Sequence, residues 1–373
     1  MQALSLLIKP ASGNCNMRCE YCFYNDVSES REMKNRGRMT EETLELLVKK
    51  VLSEVTGWCS FGFQGGEPML MGLPFYEKLI EFQKKYNVHH IQIDNSIQTN
   101  GTLMTDEWAQ FFAQNRFLVG LSIDGNQKTH DKLRLDAAGN ATFGKCISAA
   151  EILTRNGADF NILSVVTKPF AADPDSVYEF YKKYDFHFIQ FIACMDNLNE
   201  PHGSNPHSLD ADSYGQFLNR IFDLWYDDFI TGDYYSIRQF DNYVRMLMGE
   251  APDNCAMTGH CQSYPVVEAD GSVYPCDFYA LDEYKIGDVR TGNFYEMLNS
   301  DASVRFMEPS GLVHEKCKAC AYGFICRGGC RRDREPVTGG VPALNCYCEA
   351  YQQFFAHCLP RMADIAKKMP RRT

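Results

Sequence analysis

Between residues 39 and 194 the chain alternates short apolar runs with amphipathic stretches, and this period constrains the fold more than any other feature. Met39–Val55 reads as a helix, with Thr40 as N-cap and Leu44, Leu47, Val51 and Val55 on one face. Further helices are predicted over Pro74–Tyr86, Asp106–Gln114, Thr142–Arg155 and Ser176–Tyr184. Strands are predicted over the N-terminal run Leu4–Ile8 and over Cys59–Gln64, His90–Gln98, Phe117–Ile123, Phe160–Val166 and Phe186–Cys194. Six strands separated by helices call for a parallel sheet with crossover connections.

The unusual residues sit at or just beyond the C-terminal ends of those strands. They are Gly65-Gly66-Glu67-Pro68, Thr99-Asn100-Gly101, Ser122-Ile123-Asp124-Gly125, Met195 and a cysteine loop after the first strand. This is the end at which parallel β/α barrels place their chemistry. The loop reads Cys15-Asn-Met-Arg-Cys19-Glu-Tyr-Cys22. Three thiolates so close in sequence can hold three irons of a [4Fe–4S] cube. The fourth iron then has no protein ligand, and an open metal position is where a substrate or cofactor binds.

Composition narrows the function classes. A net charge of −11 argues against a polyanionic partner, since nucleic-acid affinity rests largely on Lys and Arg. Lys367, Lys368, Arg371 and Arg372 read as a short solvated basic end. No apolar run approaches the roughly eighteen residues of a membrane span, and Leu4–Ile8 is too short for a signal-peptide core. The expectation is a cytoplasmic protein with neither nucleic-acid nor membrane partners. Its 16 cysteines then favour metal or cluster ligation over disulfides.

Residues 196–206 read as a polar linker, followed by a helix with Tyr214, Phe217, Leu218, Ile221, Phe222 and Trp225 on one face. Another helix, about Ile237–Met248, stops at Gly249. Composition then shifts to cysteine, glycine and turn residues, which sets a domain boundary near 235. Val266–Cys276 reads as a hairpin turning at Asp270-Gly271. Around it lie Cys255, Cys261 and Cys276, then Cys317-x2-Cys320-x5-Cys326-x3-Cys330, and later Cys346-Tyr-Cys348. Spacing alone leaves zinc as a rival, because tetrahedral four-cysteine sites also use C-x2-C pairs.

The triplet, with Tyr21 before its last cysteine, resembles the signature of radical S-adenosylmethionine (SAM) enzymes. The C-terminal pattern looks like their SPASM extension. Tyr274-Pro-Cys-Asp-Phe-Tyr279 and Cys326-Arg-Gly-Gly-Cys-Arg-Arg332 bring the resemblance closest to the anaerobic sulfatase-maturating enzymes. It implies a partial (β/α)6 radical SAM barrel over residues 1–235 and a cysteine-rich SPASM domain over 236–373. It also implies three [4Fe–4S] clusters and SAM. Cys15, Cys19 and Cys22 would hold the SAM-binding cluster. One auxiliary cluster would take Cys255, Cys261, Cys276 and Cys330, and the other Cys317, Cys320, Cys326 and Cys348. Eleven cysteines are then used. Cys59, Cys146, Cys194, Cys346 and Cys358 remain, with Cys346 able to stand in for its neighbour Cys348.

The same resemblance makes Tyr21, Gly65, Gly66, Glu67, Ser122, Arg134 and Met195 the SAM contacts. Tyr24 and Gln64 become substrate-pocket candidates, and Asp277 the general base. The implied reaction oxidises a cysteine or serine of an unfolded or nascent sulfatase polypeptide to Cα-formylglycine. A low-potential donor such as ferredoxin or flavodoxin would feed it electrons. The nearest rival is another peptide-modifying SPASM maturase, thioether-forming or epimerising; those commonly place a recognition domain ahead of the triplet, which here begins at residue 15. A non-catalytic iron–sulfur carrier would need neither an open iron nor six strands with helices. A zinc-bound interaction module would be colourless and free of iron.

Overall fold

A computed structural model describes residues 1–198 and 200–369. One residue of the expected polar linker and Arg371 and Arg372 of the basic end lie outside the described residues. Six parallel strands come first: β1 (Ala3–Lys9), β2 (Trp58–Phe63), β3 (Gln92–Thr99), β4 (Phe117–Ser122), β5 (Phe160–Val166) and β6 (Phe188–Ala193). They are followed by β7 (Ser236–Ile237), β8 (Val266–Glu268), β9 (Ser272–Tyr274) and β10 (Gly287–Asp288). Each of the first six falls within a few residues of its expected place. The longest helices between them are Glu41–Glu54, Leu73–Tyr86, Asp106–Gln114, Phe143–Arg155 and Pro174–Lys183; Phe23–Glu29, Gln127–Leu133 and Lys168–Ala171 are shorter. The Thr40 hydroxyl accepts from the Thr43 amide at 3.2 Å, the N-cap that its position predicted.

The chain divides into two compact units, each discontinuous in sequence. The first takes residues 1–123, 131–161 and 263–306. Its strand order is β10-β9-β8-β1-β2-β3-β4, parallel from β8 to β4, with β9 and β10 antiparallel. Strands β8 and β9 form the expected hairpin, with Val266 opposite Tyr274. Strand β8 also pairs with β1, setting Leu7 opposite Val266, Ile8 opposite Val267 and Lys9 opposite Glu268. Gly271 turns the hairpin at φ 87°, a conformation that costs glycine little. The core is apolar and aromatic: Leu6, Ile8, Phe61, Phe63, Tyr76, Phe112 and Phe117 are all essentially inaccessible.

The second unit takes residues 124–130, 162–262 and 307–373. There β5, β6 and β7 pair in parallel. Helix Ala211–Thr231 packs against a helix that sequence patterning left unassigned, Cys348–Lys368. Phe222, Trp225 and Phe240 meet Phe354 in a ring cluster with centroid separations of 5.4–6.1 Å. Full burial of each such side chain stabilises by roughly 1.5–3 kcal/mol. The aromatic stripe is therefore core packing. Among the described residues no helix is long and apolar enough to cross a membrane.

Candidate active site

The cysteine triplet lies between β1 and the helix Phe23–Glu29. Its loop is held mostly by backbone. Arg18 and Glu20 amides donate to Leu135 and Leu133 carbonyls at 2.8 and 3.1 Å. The Arg18 guanidinium donates to the carbonyls of Cys15 and Met17, both at 2.8 Å. Asn100, at the end of β3, donates to Asn16 Oδ1 at 2.9 Å and faces Cys15 Sγ at 3.8 Å. Burial, opposed by the Met17 amide and joined by Glu67, Cys19 and Cys22, pushes the Cys15 thiol up to about 11. The three thiols share one loop and feel one another's charge.

Gly65 and Gly66 have φ of 91° and 55°. A Cβ on Gly66 would lie 2.1 Å from the Asn14 carbonyl oxygen, and one on Gly65 would lie 2.6 Å from Lys9 Cε. The Glu67 amide, next in sequence, donates to that same Asn14 carbonyl at 2.7 Å. The glycine pair thus lets the turn after β2 press directly on the cysteine loop.

Glu67 is buried, and its carboxylate faces inward to its own fold. Oε1 accepts from the Met69 amide at 3.0 Å and the Thr99 hydroxyl at 2.8 Å, and Oε2 accepts from the Asn100 amide at 2.8 Å. Burial raises its proton affinity, against these hydrogen bonds and the charge of Arg134. Glu67 therefore ties the end of β2 to the end of β3. Arg134 Nη1 donates to the Tyr21 hydroxyl at 2.8 Å, and Gln98 Nε2 donates to Ser122 Oγ at 2.9 Å. Met195 belongs to the second unit, just past β6 and partly exposed.

Asp277 follows β9 and meets Tyr24, whose hydroxyl donates to Oδ2 at 2.5 Å. Burial and Asp277 push the Tyr24 hydroxyl up, and the Gln64 side chain opposes that rise. Asp277 Oδ1 is buried and has no hydrogen-bond partner among the described residues; the nearest cation is Lys9 Nζ at 3.7 Å. Burial pushes the Asp277 carboxyl up, while Lys9 and the Tyr24 hydroxyl pull it down; the net direction is up.

Lys9, Glu268 and Arg31 are absent from the residues singled out by sequence. Lys9 is 1% and Glu268 0% exposed. Glu268 Oε1 is 3.2 Å from Lys9 Nζ and 2.7 Å from Arg31 Nη1. Burial alone would raise the Glu268 carboxyl, but Lys9 and Arg31 outweigh it and hold it below the usual range. The one available signal was position: Lys9 ends an apolar strand, and Glu268 interrupts the apolar run Val266-Val267.

In the second unit, Cys317, Cys320, Cys326 and Cys348 line one cavity of about 570 Å³. Burial, then the charges of its neighbours, holds Cys348 above the ordinary thiol range. Cys346 does not line this cavity; its amide donates to the Asp333 carbonyl at 2.8 Å, and its charged neighbours include Asp333, Asp196 and Arg332. Cys255 and Cys261 also lie in this unit, near enough to interact, as does Cys330; Cys276 belongs to the first. Cys59, Cys146 and Cys358 are wholly buried and Cys194 nearly so, the usual setting of a small, weakly polar side chain; the Cys146 thiol donates to the Asn100 carbonyl at 3.1 Å.

Three thiols on one loop and four around one cavity suit cubane clusters, whose irons take cysteine thiolates. The family model for the radical SAM superfamily matches residues 10–181, and that for the SPASM iron–sulfur cluster-binding domain matches residues 255–321. The fold is that of a radical SAM enzyme, a partial (β/α)6 barrel carrying a SPASM extension. A cysteine-type anaerobic sulfatase-maturating enzyme of Clostridium novyi is 47% identical over 370 residues, covering 99% of both chains. A serine-type enzyme of Bacteroides thetaiotaomicron is 35% identical, covering 98% of this chain and 91% of that one. A solved structure described as native anSMEcpe with bound AdoMet and Kp18Cys peptide superposes with a TM-score of 0.95. It is 44% identical, over 98% of this chain and 100% of that one. The chain belongs to the family of anaerobic sulfatase-maturating enzymes, radical SAM oxidoreductases of a peptide side chain.

Proposed function

We propose that this protein oxidises a cysteine side chain of a sulfatase polypeptide to Cα-formylglycine. The observation that carries the reading is the asymmetry of Asp277: Oδ2 is occupied by Tyr24, while Oδ1 has no hydrogen-bond partner among the described residues. Such an oxygen suits a general base that takes the proton of a substrate thiol. Tyr24 and Gln64 would orient that base and line the pocket for the substrate side chain. Cysteine is favoured over serine because the cysteine-type relative is 47% identical and the serine-type relative 35%.

Cys15, Cys19 and Cys22 would hold the cluster that binds SAM. Tyr21, Ser122, Arg134 and the backbone at Met195 would contact SAM, with Gly65-Gly66-Glu67 shaping the turn beside its amino group. SAM on that reduced cluster, when bound, supplies a 5′-deoxyadenosyl radical able to remove hydrogen from the substrate Cβ. Cys255, Cys261, Cys276 and Cys330, and separately Cys317, Cys320, Cys326 and Cys348, would hold the auxiliary clusters, which would accept the second electron of the oxidation; water would then hydrolyse the thioaldehyde to aldehyde and sulfide. In sequence the core would run over 1–235 and the extension over 236–373, a division supported by the two family matches falling on either side of it. A low-potential carrier such as ferredoxin or flavodoxin would supply electrons, and the cysteine content suits a reducing cytoplasm.

The test incubates reduced, anaerobically reconstituted protein with SAM and twin sulfatase-type peptides differing only in Cys or Ser. Aldehyde should form faster on the cysteine peptide, with 5′-deoxyadenosine, and Cys22→Ala should yield neither product. An epimerised or thioether-bridged peptide without aldehyde would overturn the reading in favour of another maturase.

The two neighbouring thiols give a second prediction. Reconstituted protein should bind about twelve irons. Cys348→Ala should lose about four of these, whereas Cys346→Ala should keep them all. The reverse result would assign the ligand to Cys346.

A further inference from the structure

We propose that Lys9 is a positioning residue for the oxidation, fixing Asp277 and Tyr24 relative to the turn at Gly65; this rests on the reading of Asp277 above. A lysine is almost never fully buried unless it is paired. Lys9 Nζ reaches three groups at once. It lies 3.2 Å from Glu268 Oε1, 3.7 Å from Asp277 Oδ1 and 4.6 Å from the centroid of the Tyr24 ring. Its stem runs under Gly65, close enough that a Cβ there would meet Lys9 Cε, Cγ and Cβ within 3.1 Å. One side chain thus touches the turn beside the cysteine loop and both members of the Tyr24–Asp277 pair.

Glu268 and Arg31 hold the ammonium in that place. Glu268 stands opposite Lys9 in the β1–β8 register, so the two strands deliver the pair together. Arg31 neutralises Glu268 from its other side, donates through Nε to the Ala280 carbonyl at 2.5 Å and lies 5.9 Å from the Tyr274 ring. Lys9 and Arg31 together balance Glu268 and Asp277. Removing the Lys9 charge would leave two buried carboxylates against one guanidinium, and Asp277 with no cation at 3.7 Å. Uncompensated buried charges move or become neutral. The Asp277 side chain would turn from its present direction, and substrate radicals formed beside it would less often go on to aldehyde.

The experiment uses the full-length reconstituted enzyme and Lys9→Met, which keeps the stem and removes the charge. It measures 5′-deoxyadenosine and peptide aldehyde on one sample, with iron content and melting temperature. The expected result is near-parental iron, with deoxyadenosine per aldehyde raised at least tenfold. In Lys9→Met/Asp277→Asn that ratio should be no higher than in Asp277→Asn alone, since a residue acting through another is not additive with it. Both products falling at an unchanged ratio would overturn the proposal, as would a double variant worse than Asp277→Asn. Should Lys9→Met fail to fold, Glu268→Gln carries the same test: an unchanged ratio in a folded, iron-replete sample overturns it. Failure of the parent enzyme to make aldehyde would instead sink the reading of the reaction, and Lys9 with it.

Discussion

Asp277→Asn should lower aldehyde formation by about 10²–10⁴-fold, the usual cost of losing a positioned general base. Release of 5′-deoxyadenosine should persist. An asparagine amide has one accepting oxygen and one donating nitrogen. If its oxygen keeps the Tyr24 hydroxyl bond, 2.5 Å in the parent, its NH2 group takes the place of Oδ1. A donor then faces the Lys9 ammonium, 3.7 Å from Oδ1 in the parent, and the proton of the substrate thiol. If the amide turns over, its NH2 group meets Tyr24, whose hydroxyl must then accept, and the amide oxygen that takes the place of Oδ1 is too weak a base to keep a proton. Neither orientation takes the thiol proton. Deoxyadenosine, aldehyde and iron measured together decide the matter. Near-normal aldehyde removes Asp277 from the mechanism, and lost iron makes it a structural support of the adjacent Cys276.

Gly66→Ala should abolish function by a different route. Its Cβ would lie 2.1 Å from the Asn14 carbonyl oxygen and 2.8 Å from the carbonyl carbon, and the residue already sits at φ 55°. The obstacle is main chain, so no side chain can swing aside. The turn and the cysteine loop must separate, at the expense of the 2.7 Å bond from the Glu67 amide to Asn14. A displacement of about 1 Å in a reacting assembly can cost about 10²-fold in rate. Deoxyadenosine formation should fall at least that far, and iron should drop by about four as the N-terminal cluster is lost. Gly144→Ala is the control. That residue lies in the first turn of the helix Phe143–Arg155, where an added Cβ meets nothing within 4 Å and φ is not in the left-handed region. It should keep both iron and activity. Full iron and activity in Gly66→Ala would show that the loop tolerates separation from the turn.

These two residues differ in what marks them in the sequence. Gly66 stands in a strand-end motif, and strand ends are set locally by apolar runs, caps and turn residues. The strand and helix positions, the Thr40 cap and the cysteine spacings were legible for the same reason: each depends on neighbours a few residues away. Asp277 stood out only by following Cys276 in a recognisable pattern. Nothing local could show that its carboxylate meets Tyr24, a contact spanning 253 positions.

Lys9 and Glu268 make the distinction sharper. In sequence they are an ordinary charged residue after an apolar run and another before a turn. They become a buried pair only because β8 joins the sheet beside β1, a pairing across more than 250 residues that sets them opposite one another. Likewise Cys346 and Cys348 were equivalent by spacing. The start of the helix Cys348–Lys368 turns one thiol into the four-cysteine cavity, while the other goes to the Asp333 side. Period and spacing determine which elements form and which residue types they carry. Register between distant strands, and the direction a side chain takes once packed, are decided by tertiary burial, because only there does leaving a charge or a thiol unpartnered cost enough to select one arrangement.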